Sequence, residues 1–228
     1  MIVLVILYPV KPLTDEKKSS KQGHDFLHFF LEADLEDIFS IILAAGAGSR
    51  MGGPKALALL GKVTFLDAVT QATVEAGFTK IAVVLAHGSA EIQRRHDLHA
   101  LRVLHNADPS EGPISSIRTA LGVPEIRGAA ALLVHPVDHP LVMASTLKVL
   151  VDTFRSGGWD VVVPTFEGRG GHPTLFSRRV FPDLLSAPPE MGARYVVRRE
   201  KSRVLRVEVE DRGVRMNLDT PEDLDRLA

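Results

Sequence analysis

Residues 43–55, Leu43-Ala44-Ala45-Gly46-Ala47-Gly48-Ser49-Arg50-Met51-Gly52-Gly53-Pro54-Lys55, bring four glycines and two cations onto the end of an apolar run. Glycines and small residues let a backbone approach a ligand closely and adopt positive φ. Consecutive backbone N–H groups in such a loop can cradle phosphate oxygens. Arg50 and Lys55 add fixed positive charge suited to a triphosphate. Spacing excludes two other phosphate loops. The P-loop pattern needs Gly-Lys followed by Ser or Thr, whereas Pro54 precedes Lys55 and Ala56 follows it; the dinucleotide fingerprint needs a small residue where Met51 stands. The plainer alternative is a tight strand-to-helix turn with incidental basic residues.

Four further segments carry candidate chemistry. Residues 133–141 (LVHPVDHPL) end an apolar run in a lone carboxylate, Asp138. Mg²⁺ takes oxygen ligands, keeps several waters and bridges to substrate phosphates, so such a carboxylate facing a triphosphate suits it. Capping of the next helix is the competing role for Asp138, but Ser145 is better placed for it. His135 and His139 read as structural. In residues 106–121 (NADPSEGPISSIRTAL), Gly112 and Pro113 open a turn, and Ser115 or Ser116 can cap the helix that follows. In residues 216–224 (MNLDTPEDL), Thr220 and Pro221 are a helix N-cap and first position. Asn217 and Asp219 alternate along the strand expected before them and share one face. Residues 168–173 (GRGGHP) read as a mobile loop able to close over an acceptor; a plain hairpin would explain the glycines but not the His172-Pro173 pair. Arg194, Arg198 and Arg199 could offer charge to an anionic acceptor or form a solvated helix face.

Strands alternating with helices must position these groups. Apolar runs of strand length fall at 39–44, 80–86, 101–105, 129–135, 160–164 and 203–209. Helical patterns fall between them at 64–76, 89–97, 115–121, 144–155, 177–186 and 192–200. That alternation predicts crossover connections and a three-layer α/β domain with a mainly parallel central sheet. Ile81-Ala82-Val83-Val84-Leu85 is apolar at every position, as a strand covered on both faces must be. Ligands gather beyond the carboxyl ends of such strands, where every candidate above lies. Before this domain, residues 11–25 read as a linker and 26–38 as a short amphipathic helix, so the chain divides into an extension at 1–37 and a domain at 38–228.

Composition narrows the class. The 228 residues are 45% hydrophobic and 24% charged, ordinary for a soluble globular protein. Lys and Arg total 27 against 28 Asp and Glu, a net charge of -1, which argues against nucleic-acid binding through bulk charge. With no cysteine, disulfides, thiolate metal sites and cysteine nucleophiles are excluded. The apolar start at 1–8 is about half a membrane span and lacks a basic flank and cleavage site, so a soluble, cytoplasmic protein is expected.

From about Ser40 to Leu227 the chain resembles the MobA-like nucleotidyltransferases, whose LAAGxGSRMGxPK signature residues 43–55 follow, with the molybdenum cofactor cytidylyltransferases as the nearest branch. The resemblance implies a Rossmann-like domain that moves a nucleoside monophosphate from an NTP to a phosphate, with Mg²⁺ and release of pyrophosphate. It assigns Arg50, Lys55 and Asp138 to catalysis, and Leu43, Ala44, Ala45, Gly46, Gly48, Ser49 and Ser116 to the nucleotide. Asp138 and Asp219 would hold the metal, while His172, Arg194 and Asn217 would lie on the acceptor side. Asn217 departs from the Asp often found there and removes one charge. Ala45 stands where guanylyltransferases carry a second glycine, which favours CTP. The acceptor would be molybdopterin carrying molybdenum, and a molybdoenzyme or its chaperone the protein partner. Guanylyl and sugar-phosphate transfer remain alternatives, as does an NAD(P)H-dependent oxidoreductase on the same scaffold. The last needs an acidic ribose ligand closing the second strand, where Leu85-Ala86-His87-Gly88 has no carboxylate before Glu91.

Overall fold

A strand apolar at every position needs cover on both faces, and β1 (Ile38–Ala44) is buried along its whole length. The computed structural model describes residues 37–46, 48–96, 98, 101–199 and 203–227. The linker and most of the amphipathic helix expected ahead of β1 lie outside those residues. Ile38, expected to close that helix, instead opens β1.

After β1 the chain forms β2 (Leu59–Leu60), β3 (Val63–Thr64), α1 (Phe65–Glu75), β4 (Ile81–Ala86), α2 (Ala90–Arg95), β5 (Arg102–Asn106), α3 (Pro113–Leu121) and α4 (Pro124–Gly128). There follow β6 (Ala131–Pro136), α5 (Ala144–Arg155), β7 (Val161–Phe166), β8 (Arg169–Gly170), β9 (Thr174–Ser177), α6 (Phe181–Ser186), α7 (Arg194–Arg199), β10 (Val204–Glu208) and α8 (Pro221–Asp225). The main sheet runs β10-β7-β9-β6-β1-β4-β5, with β8 paired to β7. β1 is parallel to both β4 and β6, β4 to β5, and β7 to β10. β9 is antiparallel to β6 and β7.

Alternation along β1 divides the interior. Ile38, Ile42 and Ala44 point to a core shared with Phe65, Leu66 and Val69 of α1 and with Leu147, Leu150 and Val151 of α5. Phe39, Ile41 and Leu43 point to a second core with Ile114, Ile117 and Leu121 of α3, Phe181 of α6 and Val196 of α7. The sheet is therefore sandwiched, the three-layer arrangement expected.

Several local expectations fail. The helix expected at 177–186 starts at Phe181, after β9 and a 3₁₀ turn at Arg178–Val180. Four residues buried on both sides, inserted between two other strands, carry no helical or alternating signature of their own. Residues 216–219, expected as a strand, join no ladder of the sheet. Ser115 and Ser116 cap nothing, because α3 begins at Pro113 with Gly112 as N-cap. Ser145 lies inside α5, whose N-cap is Met143. A buried carboxylate from far along the chain serves that helix end: Asp211 accepts from the Met143 N–H at 2.8 Å and from the Thr146 hydroxyl at 2.7 Å.

Candidate functional site

The order of strands reverses at β1, since the chain moves outward through β4 and β5 and then returns to β6 on the other side. Crevices beyond the carboxyl ends of strands at such a switch point are where open α/β sheets bind ligands. Here Leu43 of β1 is in register with Pro136 of β6, and the Val137 N–H bonds the Leu43 carbonyl at 3.1 Å. Above that pair opens a cavity of about 170 Å³ lined by Leu43, Ala45, Gly46, Lys55, Pro109, Gly112, Pro113, Ser116, Pro136, Val137 and Asp138. Whole-ligand pockets run to about 300–1,000 Å³, so this one has room for one end of an extended ligand.

Glycine is required in the loop by geometry at Gly48. Its φ of 62° is left-handed, and a Cβ there would lie 1.9 Å from the Gly53 carbonyl oxygen. The Gly48 carbonyl also accepts from Met51 at 2.9 Å and Gly53 at 3.2 Å, closing the loop on itself. That closure carries Lys55 over the rim of the cavity. Its ammonium donates to Asp138 Oδ2 at 2.7 Å and to Asp219 Oδ1. Burial works to lower the Lys55 pKa, and the two carboxylates outweigh it, leaving the pKa raised and the ammonium charged. Asp219 is brought in because the Leu218 N–H bonds the Asp138 carbonyl at 2.9 Å. Asn217 donates to Asp219 Oδ2 at 3.1 Å, and the exposed Arg50 reaches the same oxygen at 3.5 Å.

The structure thus gathers Arg50, Lys55, Asp138, Asn217 and Asp219 at one point. Leu43, Ala45, Gly46 and Ser116 stand on the adjoining cavity wall, while Ala44, Gly48 and Ser49 do not line it. Sequence reasoning did not single out Asn106, the buried last residue of β5, whose amide bonds Ser115 and Ser116. The available signal was a carboxamide at the end of a strand, just before the turn that leads into α3.

The donor set is two carboxylates clasping a cation, without sulfur or imidazole, which fits a hard divalent ion completed by water and phosphate oxygens. Among the described residues no cluster of three or more His, Cys, Asp or Glu could hold a metal ion alone.

The MobA-like NTP transferase domain pattern matches residues 40–204. The chain belongs to that family. Its members by likeness include a probable molybdenum cofactor guanylyltransferase of Methanothermobacter thermautotrophicus, 36% identical over 54% of this chain and 62% of that enzyme. The nicotine blue oxidoreductase of Paenarthrobacter nicotinovorans is 27% identical over 86% of this chain and 98% of that protein. Rv0371c of Mycobacterium tuberculosis superposes with a TM-score of 0.72 at 28% identity, over 84% of this chain and 96% of its own, and has also been solved in complex with manganese. This MobA-like chain is accordingly a nucleotidyltransferase by family, and divalent metals are the family's cofactors. Two of its relatives carry a molybdenum cofactor guanylyltransferase name. No helix among its described residues is long and apolar enough to cross a membrane.

Beside the carboxylates, this MobA-like domain packs three imidazoles. Burial lowers His135 to about 3 and His172 to about 4, and it also lowers His139. The rings of His139 and His172 lie 4.9 Å apart, and the Nδ1 atoms of all three lack a hydrogen-bond partner among the described residues. Arg194 stands close enough for its charge to help depress His172. The segment carrying His172 is not the mobile loop expected. Gly171 and His172 donate to the Pro164 and Val214 carbonyls, both at 2.8 Å, and a Cβ on Gly171 would meet Val214 O at 2.2 Å.

Proposed function

We propose that this chain is a cytoplasmic, Mg²⁺-dependent cytidylyltransferase that moves CMP from CTP to the phosphate of a molybdopterin-type acceptor and releases pyrophosphate. The observation that carries it is the Lys55 ammonium held between Asp138 and Asp219 beside a small cavity that Ala45 and Gly46 of the glycine-rich loop help to line. The cavity takes the nucleoside end, and the triphosphate runs over the loop towards Lys55 and Arg50.

An acceptor phosphate oxygen attacks the α-phosphorus in line. The new O–P bond forms as the bond between the α-phosphorus and its bridging oxygen breaks, and pyrophosphate leaves with the electron pair. Two polyanions must meet, so positioning and charge neutralisation supply most of the catalysis. Asp138 and Asp219 would hold the divalent ion, which when bound neutralises phosphate charge. Lys55, turned from the carboxylates to the phosphates, and Arg50 would neutralise the leaving pyrophosphate. No general base is needed, because a phosphate monoester is already ionised near neutrality. His172, Arg194 and Asn217 would face the acceptor, with Arg194 supplying a charge.

The preference for CTP rests on Ala45, buried on the cavity wall, whose methyl takes space that a larger base needs. The molybdopterin-type acceptor rests on the names of relatives such as the archaeal transferase. A second reading, an NAD(P)H-dependent oxidoreductase, is favoured by the match along nearly all of the nicotine blue enzyme. Against it, the first carboxylate after β4, Glu91, is exposed on α2 and paired with Arg95 at 2.9 Å. The test is turnover by purified protein with Mg²⁺, each NTP in turn, and molybdopterin or sugar-phosphate acceptors. Pyrophosphate from CTP and molybdopterin, abolished in a folded Asp138→Ala variant, is the expected result. NAD(P)H oxidation without NTP turnover would overturn it.

A further inference from the structure

We propose that Asn106 is a positioning residue that fixes the hydroxyl of Ser116 as a hydrogen-bond donor to an acceptor atom on the nucleobase. The inference rests on the nucleotidyltransferase reading and deepens it.

Asn106 closes β5 and is buried, with its backbone carbonyl bonded by the His87 N–H at 3.2 Å. A carboxamide can sit either way round, and one neighbour removes that freedom. The Asp108 backbone N–H points at Asn106 Oδ1 from 3.0 Å, and a backbone N–H can only donate. The oxygen must therefore face Asp108, and the NH₂ group must face α3. There it donates one proton to Ser115 Oγ at 2.7 Å and the other to Ser116 Oγ at 3.0 Å. Each serine oxygen is thereby made an acceptor, and its own proton must go elsewhere. Ser115 gives its proton to the Gly112 carbonyl at 2.8 Å. Ser116 has no protein acceptor among the described residues, and it lines the cavity.

Ser116 is therefore a hydroxyl with a committed lone pair and a free proton, set into the wall where the base is to lie. It complements a ring nitrogen or carbonyl oxygen, such as N3 or O2 of cytosine, whereas an amino group could use only the second lone pair of the oxygen and would leave the Ser116 proton without a partner. Buried donors that find no partner cost affinity, so this polarity selects among base edges.

Asn106→Asp tests this, because it keeps the shape and the Asp108 bond but replaces the NH₂ by an oxygen. Both serine hydroxyls must then donate to it, and the Ser116 proton turns away from the cavity. KM for CTP should rise about tenfold or more with kcat changed less. Inhibition by inorganic pyrophosphate, which has no base, should keep its strength. Asn106→Ala, which leaves the proton undirected rather than reversed, should lose less than Asn106→Asp; a purely structural role would make alanine the worse change. In a Ser116→Ala background, where alanine suits the helix, Asn106→Asp should add nothing. An unchanged KM in folded Asn106→Asp, a full additional loss in the Ser116→Ala background, or weakened pyrophosphate inhibition would overturn the proposal while leaving the transferase reading intact. Absence of NTP binding by the parent protein would overturn both.

Discussion

Replacing Lys55 by methionine removes the cation that holds two carboxylates together and keeps the apolar stem. The ammonium, Asp138 and Asp219 side chains are 15%, 22% and 24% exposed, so the site is neither dry nor fully screened. A unit-charge pair at such a place is worth about 4 kcal/mol at 4 Å with an effective dielectric of 20, and solvent screening reduces the net to about 2 kcal/mol. For a protein of this size that is a fall of about 4–8 °C in Tm. The Leu218 N–H to Asp138 carbonyl bond still keeps the two carboxylates adjacent, so the loss appears as unrelieved like-charge repulsion. A divalent ion entering the parent protein must displace the ammonium, whereas in Lys55→Met it enters a prepared gap. The variant should bind Mg²⁺ or Mn²⁺ about 30-fold more tightly, which is the same 2 kcal/mol expressed as affinity. Millimolar Mg²⁺ should restore most of the lost Tm, while turnover stays low because nothing neutralises the pyrophosphate. Melting curves with and without Mg²⁺, together with calorimetric titration, read both quantities. If Mg²⁺ raises the Tm of the parent as much as that of the variant, Lys55 and the metal do not compete for these carboxylates, and the assignment of Asp138 and Asp219 fails.

Gly48→Ala places a Cβ 1.9 Å from the Gly53 carbonyl, so the loop must reopen; NTP binding should weaken by more than about tenfold in titration, with the melting temperature little changed. Asp211→Ala leaves the Met143 and Gly213 N–H groups and the Thr146 hydroxyl without their buried acceptor, and urea unfolding should show a loss of about 3 kcal/mol. His135 and His172 stay neutral in the fold down to about pH 3 and 4, whereas in the unfolded chain they protonate near 6.5. Their contribution is fully present above pH 6.5 and is lost as pH falls towards 4, at up to about 1.4 kcal/mol per pH unit for each ring. Unfolding free energies at pH 7 and pH 5 should therefore differ less in His172→Gln than in the parent, and an equal difference would refute the depressed pKa. Ala45→Gly should narrow a CTP preference over GTP by about ten- to two-hundred-fold, the range for one methyl group in a pocket; equal CTP and GTP affinity in the parent would remove the argument for cytidylyl transfer.

The sheet was legible wherever a strand had to be apolar on both faces. β1, β4, β6 and β7 needed no tertiary information, because Ile81-Ala82-Val83-Val84-Leu85 and its like have no other home. β9 was illegible for the opposite reason: Thr174–Ser177 is four residues long, and what makes it a strand is the pair of neighbours it fills between. The β2–β3 hairpin is two residues a side around Gly61, below the length at which periodicity can show. Helix caps failed where the capping group came from elsewhere in the chain. A serine near a helix start is a local signal, but Asp211 reaches Met143 across 68 residues and displaces Ser145 from that role. In the site, strand ends gave away Asp138 and the glycine loop. The direct contact of Lys55 with both carboxylates, and the Asn106 amide behind Ser116, depend on side chains from separate segments of the chain and could not be read locally.

The position of Asp219 shows how such a site is held without a strand to hold it. The family match ends at residue 204, so this second carboxylate has to be placed by the packing of the chain's own last segment. Asp211 binds that segment to the start of α5 and to its own Gly213 N–H. Gly213 then passes so close to residue 141 that a Cβ would lie 2.3 Å from the Leu141 carbonyl oxygen. Val214 accepts the His172 N–H, and Leu218 donates to Asp138. Each contact is made by backbone or by a buried carboxylate, and all but the Asp211–Gly213 bond tie the last segment to Asp138, to the stretch that follows it or to the His172 segment. The second carboxylate, the His172 segment and the stretch after Asp138 are therefore one packed unit. A change that loosens any of these three should move Asp219 before it disturbs the sheet, because the strands below are secured by their own two cores.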